Sequence, residues 1–535
     1  MLISKKNSVM KTIKYYIKGM LLLLVMVNIG CSLDENPYTT TTAPILFANE
    51  DGVKQALAGA YSPLRLIYGR QSSLLLTTSG TDIFQHGNDG DWELDQYDND
   101  LNPAQGRVDR VWGELYQGVS ASNSFLENIE GVTFLDEELK TTYIAEARFL
   151  RSHFYYWLTM QWGDVVFMDN AANEVNTNTT RTAKETIWQS MLEDTQFAVD
   201  NLDWEAEEFG RITKGAALQQ LAFVQMLLGD YSGAKASLDA IINSGTYELE
   251  PTFADVFDYD NQINNEVIFS VQYTNDDVYN GGGNRGHLFF TPNYAAFNGL
   301  EREASQGGRP YTRFRPTEFF RNLFETNDTR FDATFRRVWY YNVDNYSATV
   351  NYNGNNVAVQ EGDSVIWDIQ DVNGNVLYQS KIAPNRDDMH WGMKKHDDYT
   401  RSSANDKNGF RDFFVYRLAE TYLLKAEVAF YLGNQTEAAE ALNVIRNRAA
   451  ASGTSLTNIT ASDVTIDLIL DERARELGGE ERRWMDLKRT GKLLERVQAH
   501  NPNAAPNIKE FHLYRPIPQA EIDASTGGMQ QNPGY

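Results

Sequence analysis

The 535-residue chain has a single cysteine, Cys31. No intramolecular disulfide can form, so the folded part relies on packing alone. Signatures of catalysis and metal binding are equally scarce. The seven histidines are scattered, and no spacing among them suggests a zinc site. There is no HExxH, no GxSxG, and no phosphate-loop lysine after a Gly-rich stretch. Basic charge is in short supply: 48 Lys and Arg stand against 73 Asp and Glu, a formal charge of −25. That balance disfavours nucleic acid and anionic lipid surfaces as broad partners. Long apolar runs are missing too. The run Met20–Val27 is far shorter than the about 20 residues that cross a bilayer.

That short run has a purpose of another kind. Lys5, Lys6, Lys11, Lys14 and Lys18 precede it without an acid, and Gly30-Cys31 closes it. A basic start and a short apolar stretch describe an export signal. The Gly-Cys ending fits a lipoprotein processing site, with the Cys31 thiol accepting diacylglycerol, although Asn28 stands where Leu is usual. Residues 1–30 are predicted to be a lipoprotein signal peptide. Residues 31–48, polar and broken by Pro37, are predicted to be a lipid-anchored tether. Cleavage would remove lysines and no acids, leaving the exported chain more acidic still.

Beyond the tether, helical periodicity dominates. Asp51 to Leu66 carries Val53, Leu57, Ala60 and Leu64 at helical spacing. Val111–Ile129 and Asp136–Gln161 follow, the second with Tyr143, Ala147, Leu150, Phe154 and Leu158 on one face. Thr182 to Asn201 starts with a capping-box pattern, Thr182 and Glu185. An internal repeat comes next. Thr213–Gly229 and Tyr231–Asn243 form a helix, a Gly-Asp turn and a second helix, and residues 417–446 read the same way. Gly229 matches Gly433, Ala222 matches Ala426, Val224 matches Val428, Leu228 matches Leu432, Ala234 matches Ala438, and Leu238 matches Leu442. Small residues at a helix crossing and Gly in the turn suit tetratricopeptide-like pairs. Residues 70–109, rich in Gly, Asp, Asn and Thr, are predicted to be a long loop. Residues 250–410 hold β-like runs at Val267–Tyr273 and Thr334–Tyr341, turns at Asn353-Gly354 and Asn373-Gly374, and a Gly-rich loop from Asn280 to Gly286. The predicted organisation is a helical scaffold over 49–249, a loop-rich, partly β insertion over 250–410, and a second helical part with a tail over 411–535. The fold class is mainly α.

Several stretches then carry a resemblance. Glu146-Ala-Arg-Phe-Leu-Arg-Ser-His with Trp162-Gly-Asp-Val-Val166, Gly210-Arg-Ile-Thr-Lys-Gly-Ala-Ala217, Asp471-Glu-Arg-Ala-Arg-Glu-Leu477, Glu480–Arg489, Tyr514-Arg-Pro-Ile-Pro518 and Gln531-Asn-Pro-Gly-Tyr535 occur in that order. Together they resemble the landmarks of the SusD/RagB family. The resemblance implies a tetratricopeptide-like helical superhelix with a variable, loop-rich portion. It implies an outer-membrane lipoprotein that faces outwards, caps a SusC-like TonB-dependent transporter, binds oligosaccharide or polysaccharide, and is not an enzyme. Asp34-Glu35 is similar to the family's surface-export signal. A peptide-binding lid with little glycan affinity is the alternative, since tetratricopeptide-like scaffolds bind proteins. A hydrolase using a carboxylate pair is a third reading. The shared motifs themselves read as structural: Glu472, Arg473, Arg475, Glu476, Arg482, Arg483 and Asp486 as ion pairs, Trp484 and the Gln531–Tyr535 tail as filling.

Ligand residues are then sought in the variable parts. Sugars are held by an aromatic face against the apolar face of the ring, with amide, acid or guanidinium groups on the hydroxyls. One candidate set is Asp82, Gln85, His86, Asn88, Asp91, Trp92 and Tyr97. The other is Tyr273, Tyr279, Asn284, Arg285, Tyr294, Arg313 and Trp339. Trp92 leads, because a Trp among polar residues in a long loop has little core to enter. Arg302, Arg309, Arg313 and Arg315 form a local basic patch that could read a uronate or sulfate, or be spent on loop ion pairs. No cofactor is expected. Acids at Asp89, Asp91, Asp95, Asp98 and Asp100 are candidates for a structural calcium ion, though none fits a full EF-hand loop.

Overall fold

Arg417, at the end of a strand, and Glu476, in a helix near the end of the chain, are both buried and lie 2.7 Å apart. The computed structural model describes residues 43–171, 176–276, 278–352, 355–366 and 390–535. Cys31, the signal peptide, the Asp34-Glu35 pair and the Asn353-Gly354 and Asn373-Gly374 turns lie outside the described residues. The chain divides into Met1–Leu46, of which one helical turn at Ala43–Leu46 is described, and Phe47–Tyr535.

The scaffold helices are α1 (Glu50–Tyr61), α2 (Gln71–Thr78), α3 (Gly106–Ile129), α4 (Glu137–Trp162), α5 (Lys184–Asn201), α6 (Lys214–Leu227), α7 (Tyr231–Asn243), α8 (Leu418–Tyr431), α9 (Gln435–Ala449), α10 (Ile466–Leu477), α11 (Arg483–Arg489) and α12 (Leu493–His500). From α3 to α9 each packs on the next. Helix α4 is capped by Asp136, whose side chain accepts from the Glu138 amide at 2.9 Å. Glu137 and Glu138 in its first turn suit the helix dipole. It stops at Gly163, φ +78°. The predicted apolar face is buried, and so is most of the rest of the helix from Tyr143 onwards, because α3 and α5 both pack on it. Gly118 of α3 lets the Phe154 ring approach; a Cβ there would lie 2.5 Å from it. The expected Thr182 cap is not formed. Thr182 bridges to Val165 instead, and Asp164 accepts from the Lys184 amide at 3.1 Å, capping α5 from outside.

The repeat is real and continuous in space. Gly229 and Gly433 have the same φ of +77°, which L-residues with a Cβ rarely adopt. Asp230 and Asn434 then cap the second helix of each pair. Helix α7 lies against α8, with Tyr231 stacked on Tyr431 at 4.7 Å. Lys235 and Lys425 bridge Asp239 and Glu437 across the joint. The array interrupted in sequence is thus closed in the fold.

Small antiparallel pairs fill the remainder: β1 (Phe84–His86) with β3 (Phe314–Pro316), β2 (Val267–Val271) with β10 (Phe413–Arg417), β4 (Phe335–Arg336) with β9 (Gly392–Met393), β5 (Val338–Tyr340) with β8 (Ser364–Ile366), and β6 (Ser347–Tyr352) with β7 (Asn355–Gln360). The run Val267–Tyr273 contains a strand as expected, over Val267–Val271. The run Thr334–Tyr341 is divided: Thr334 ends a short helix, and two separate strands follow. Residues 70–109 are also corrected. They hold α2, β1 and a helical turn at Glu93–Gln96; the apolar Leu74–Leu76 run is fully buried, so polar composition around it masked a core helix.

Charged motifs anchor the far end. Arg417 meets Glu266 at 2.7 Å, Glu476 at 2.7 Å and Glu480 at 2.8 Å. Arg330 meets Asp328, Glu472 and Glu476. Arg448 adds contacts to Glu266 and Glu476, and Arg473 holds Asp486 at 2.7 Å and Glu420 at 3.1 Å. All are buried. Burial works against the Glu476 charge, but Arg448, Arg417 and Arg330 hold its carboxyl well below the usual range. The tail is equally well seated: the Asn532 amide donates to the Trp162 and Arg515 carbonyls at 2.9 and 2.8 Å, and Gln531 clamps Ile517. Replacing Glu476→Gln leaves three buried guanidinium groups short of a counter-charge. The expected loss is about 3–5 kcal/mol, read as a fall in the urea midpoint at unchanged slope.

Candidate functional site

The site is built on the pairing of β1 with β3. It aligns His86 with Phe314 and Gln85 with Arg315. The pairing runs on beyond the strands: the Gly87 and Asn88 amides donate to the Arg313 and Thr312 carbonyls at 2.8 and 2.9 Å. On its other side, the 311–313 segment donates to the carbonyls of Leu288, Phe289 and Thr291. Tyr311 and Arg313 are thereby fixed between two neighbours.

The chain then turns through Gly90 and Asp91, both left-handed, at φ +53° and +56°. Such a conformation is costly for Asp, and the carboxylate is held from three sides. Gln71 Nε2, Arg107 Nε and Arg313 Nη1 each donate to it at 3.1 Å. Trp92 follows, 45% exposed. One face of its ring stacks on the His86 imidazole, with centroids 5.0 Å apart and planes 18° apart. His86 is itself buried. Its Nδ1 lies 2.7 Å from the Gly87 carbonyl, to which it donates, and Nε2 lies 3.2 Å from the Gln96 amide. Beneath it, Asp95 accepts from the Gly80 amide and the Asn501 side chain at 2.9 and 3.0 Å. Burial pushes the Asp95 carboxyl up, against the pull of His86 and Asn501. The result is an indole on a rigid base.

A Gly-rich loop stands beside this turn. Gly281, Gly282 and Gly283 are all left-handed, and their carbonyls converge on Arg70 at 2.8–3.0 Å. A Cβ on Gly283 would fall 2.7 Å from Asn408 Cα, so the turn requires glycine. Arg70 precedes Gln71, which ties the loop to the Asp91 clamp. Arg285 donates to the Asn408 side chain at 3.1 Å, and Tyr279 is 68% exposed. Arg309 lies over the Tyr311 ring at 5.3 Å.

The structure therefore gathers His86, Asp91, Trp92 and Arg313, with exposed Asn88, around one surface, and places Tyr279 and Arg285 on the adjoining loop. Gln85 is buried in β1. Six candidates are corrected to packing roles. Asp82 is enclosed by Arg483 and Arg496 at 2.6 and 2.7 Å. The Tyr97 hydroxyl donates to the Gly80 carbonyl and accepts from Trp484 Nε1. Tyr273 is buried and donates to the Tyr68 carbonyl at 2.6 Å. Asn284 is buried, donating to the Arg411 carbonyl and accepting from the Gly286 amide. Tyr294 and Trp339 stack in a small core of the loop-rich part, bonded to the Gly308 and Gln306 carbonyls. That part carries a core of its own, which is why its aromatics turn inward. The four-arginine patch is dispersed: Arg302 faces Asn405, Arg313 faces Asp89 and Asp91, and Arg315 lies across from Gln85. The acids expected around calcium are drawn to arginines and main-chain amides, and no group of three or more metal-binding side chains occurs among the described residues. Arg70, Gln71, Gln96 and Tyr311 were missed. Tyr311 could have been found from its spacing two residues before Arg313 on an extended segment. Two cavities of about 300 Å³ lie elsewhere, on either side of Phe209.

Family models match in two parts: the SusD family over residues 265–535, and a second, described as starch-binding and associating with the outer membrane, over 32–226. The chain belongs to the SusD family. Among relatives, a SusD-like protein P25 of Formosa agariphila is 27% identical, covering 92% of this chain and 93% of that one. The starch-binding protein SusD of Bacteroides thetaiotaomicron is 26% identical, covering 81% and 80%. A solved laminarin-binding SusD-like protein shares the fold at TM-score 0.70 and 21% identity, covering 91% of this chain and all of that one. A SusD homologue from Bacteroides thetaiotaomicron does so at 0.73 and 22%, covering 92% and 99%. The motif pairs are structural in this SusD-family chain: Arg211 is paired with Glu146, which also accepts from Tyr61.

Asp82 provides a pH test of the fastening. Burial opposes its charge, but Arg483 and Arg496 outweigh burial and hold the carboxyl at about 2, below its ordinary 3.8. The stabilisation is complete above about pH 4 and is lost as pH falls through 2. Asp82→Asn is expected to cost about 2 kcal/mol or more at pH 7. Its melting-temperature deficit should shrink between pH 4 and 2.

Proposed function

We propose that this SusD-family chain is a cell-surface lipoprotein that captures oligosaccharide or polysaccharide and hands it, unaltered, to a SusC-like TonB-dependent transporter. The observation that carries the reading is Trp92: a half-exposed indole, braced from beneath by a buried histidine and ringed by amide, carboxylate and guanidinium groups. A pyranose presents an apolar face to such a ring and hydroxyls to its rim. A platform that is already rigid loses little entropy when sugar binds. Support comes from relatives named for starch and laminarin binding. In this reading, Cys31 carries the lipid in the outer leaflet of the outer membrane, Asn88, Asp91, Arg313, Tyr279 and Arg285 complete the sugar surface, and His86 supports it from beneath.

The test is affinity electrophoresis and calorimetry against a polysaccharide panel. The wild-type protein is expected to bind at least one glycan without shortening it. Trp92→Ala should weaken that binding by about tenfold or more, equivalent to about 1.4 kcal/mol, at an unchanged melting temperature. Binding of peptides but no glycan would favour the transporter-lid alternative. A fall in glycan chain length would point to hydrolysis.

A further inference from the structure

The charge around the platform does not balance. Arg107 and Arg313 are matched by Asp91 and Asp89. Arg70 and Arg285 are not: neither lies within ion-pair distance of a carboxylate among the described residues. Arg70 donates to the carbonyls of Gly281, Gly282 and Gly283, and Arg285 to the Gly282 carbonyl and the Asn408 amide oxygen. Both are partly buried. They are also close to one another, since both donate to the Gly282 carbonyl, at 2.8 and 3.3 Å, and burial first, then the Arg70 charge, lower the Arg285 pKa. Two neighbouring cations with no carboxylate at ion-pair distance among the described residues are a costly arrangement in a protein with 25 excess negative charges.

The surroundings are arranged to keep this charge. Three left-handed glycines aim their carbonyls at Arg70 and so fix it without neutralising it. Arg285 Nη1 and Arg70 Nε donate to nothing among the described residues. The Tyr311 hydroxyl lies within electrostatic reach of Arg285 and Arg313, and Arg309 covers the Tyr311 ring. Glu114 lies within electrostatic reach of Arg70, and burial lifts its carboxyl to about 7, against Arg110 and Arg70. It therefore supplies only a partial counter-charge at neutral pH.

We infer that Arg70 and Arg285, with Tyr311 beside them, form an anion subsite next to the Trp92 platform, and that the glycan this protein takes carries carboxylate or sulfate groups. The remaining N–H groups, on Arg285 Nη1 and Arg70 Nε, each donate a charge-assisted hydrogen bond to either anion. This inference rests on the glycan reading above and deepens it.

The test is a glycan array holding each acidic polysaccharide in native form and in a carboxyl-reduced or desulfated form. The wild-type protein is expected to bind a native acidic glycan about tenfold or more tightly than its neutralised form. The derivative that loses binding tells carboxylate from sulfate. Arg285→Gln should reduce native-glycan affinity to that of the neutralised form at an unchanged melting temperature, whereas Arg302→Gln, outside the subsite, should change neither. The native-versus-neutralised comparison on wild-type protein stands even if Arg285→Gln fails to fold. Equal binding of both forms, or a preference that survives Arg285→Gln, overturns the anion subsite and leaves the sugar platform intact. Silence across the whole array overturns both.

Discussion

The buried pairing of Arg417 with Glu266, Glu476 and Glu480 is the interaction on which the rest of this structure depends. Arg417 ends β10, Glu266 precedes β2, and the two glutamates lie at the end of α10 and just beyond it. One guanidinium thus joins three distant parts of a chain that has no disulfide to join them. Removing such charges from water is expensive. The cost is offset because each remaining oxygen finds another donor: Arg448 on Glu266 and Glu476, Lys395 on Glu480. The lattice continues through Arg330 to Glu472 and through Arg473 to Asp486. Hydrophobic burial supplies most of the folding energy; the ion lattice fixes which elements meet.

That fixing reaches the surface. Helices α11 and α12 follow directly from the lattice. Arg483 and Arg496 hold Asp82, Asn501 holds Asp95, and Trp484 holds Tyr97. The segment carrying Trp92 is therefore fastened at both ends to residues about 400 positions later in the chain. Loops that bind ligands gain precision when a rigid scaffold sets their ends. Here the fastening residues are the acidic and aromatic groups that, in the sequence, look like ligand contacts.

This explains what could be read in advance. The helices, the repeat and the structural role of the motif charges were legible because helical spacing and turn glycines are local signals. Asp82, Tyr97 and Asn284 were misplaced because their partners are distant: a polar residue in a Gly-rich stretch looks solvated until Arg483, Trp484 or Arg411 arrives. Trp339 and Tyr294 were misplaced because an irregular segment gives no periodicity to reveal its small core. The exposure of Trp92 was legible for the opposite reason, since its neighbours in sequence are mostly polar. Arg70 and Tyr311 were missed because nothing local marks them: the surroundings of Arg70 are made by glycines about 210 positions later in the chain.

The platform assignment stands or falls on where a sugar rests. The most direct measurement is the crystal structure of this protein with a glycan it binds. The expected result is a sugar ring stacked on the exposed face of Trp92, with His86 unmoved beneath it. A sugar seated elsewhere, such as in the cavities beside Phe209, with the Trp92 face left to solvent, would contradict it.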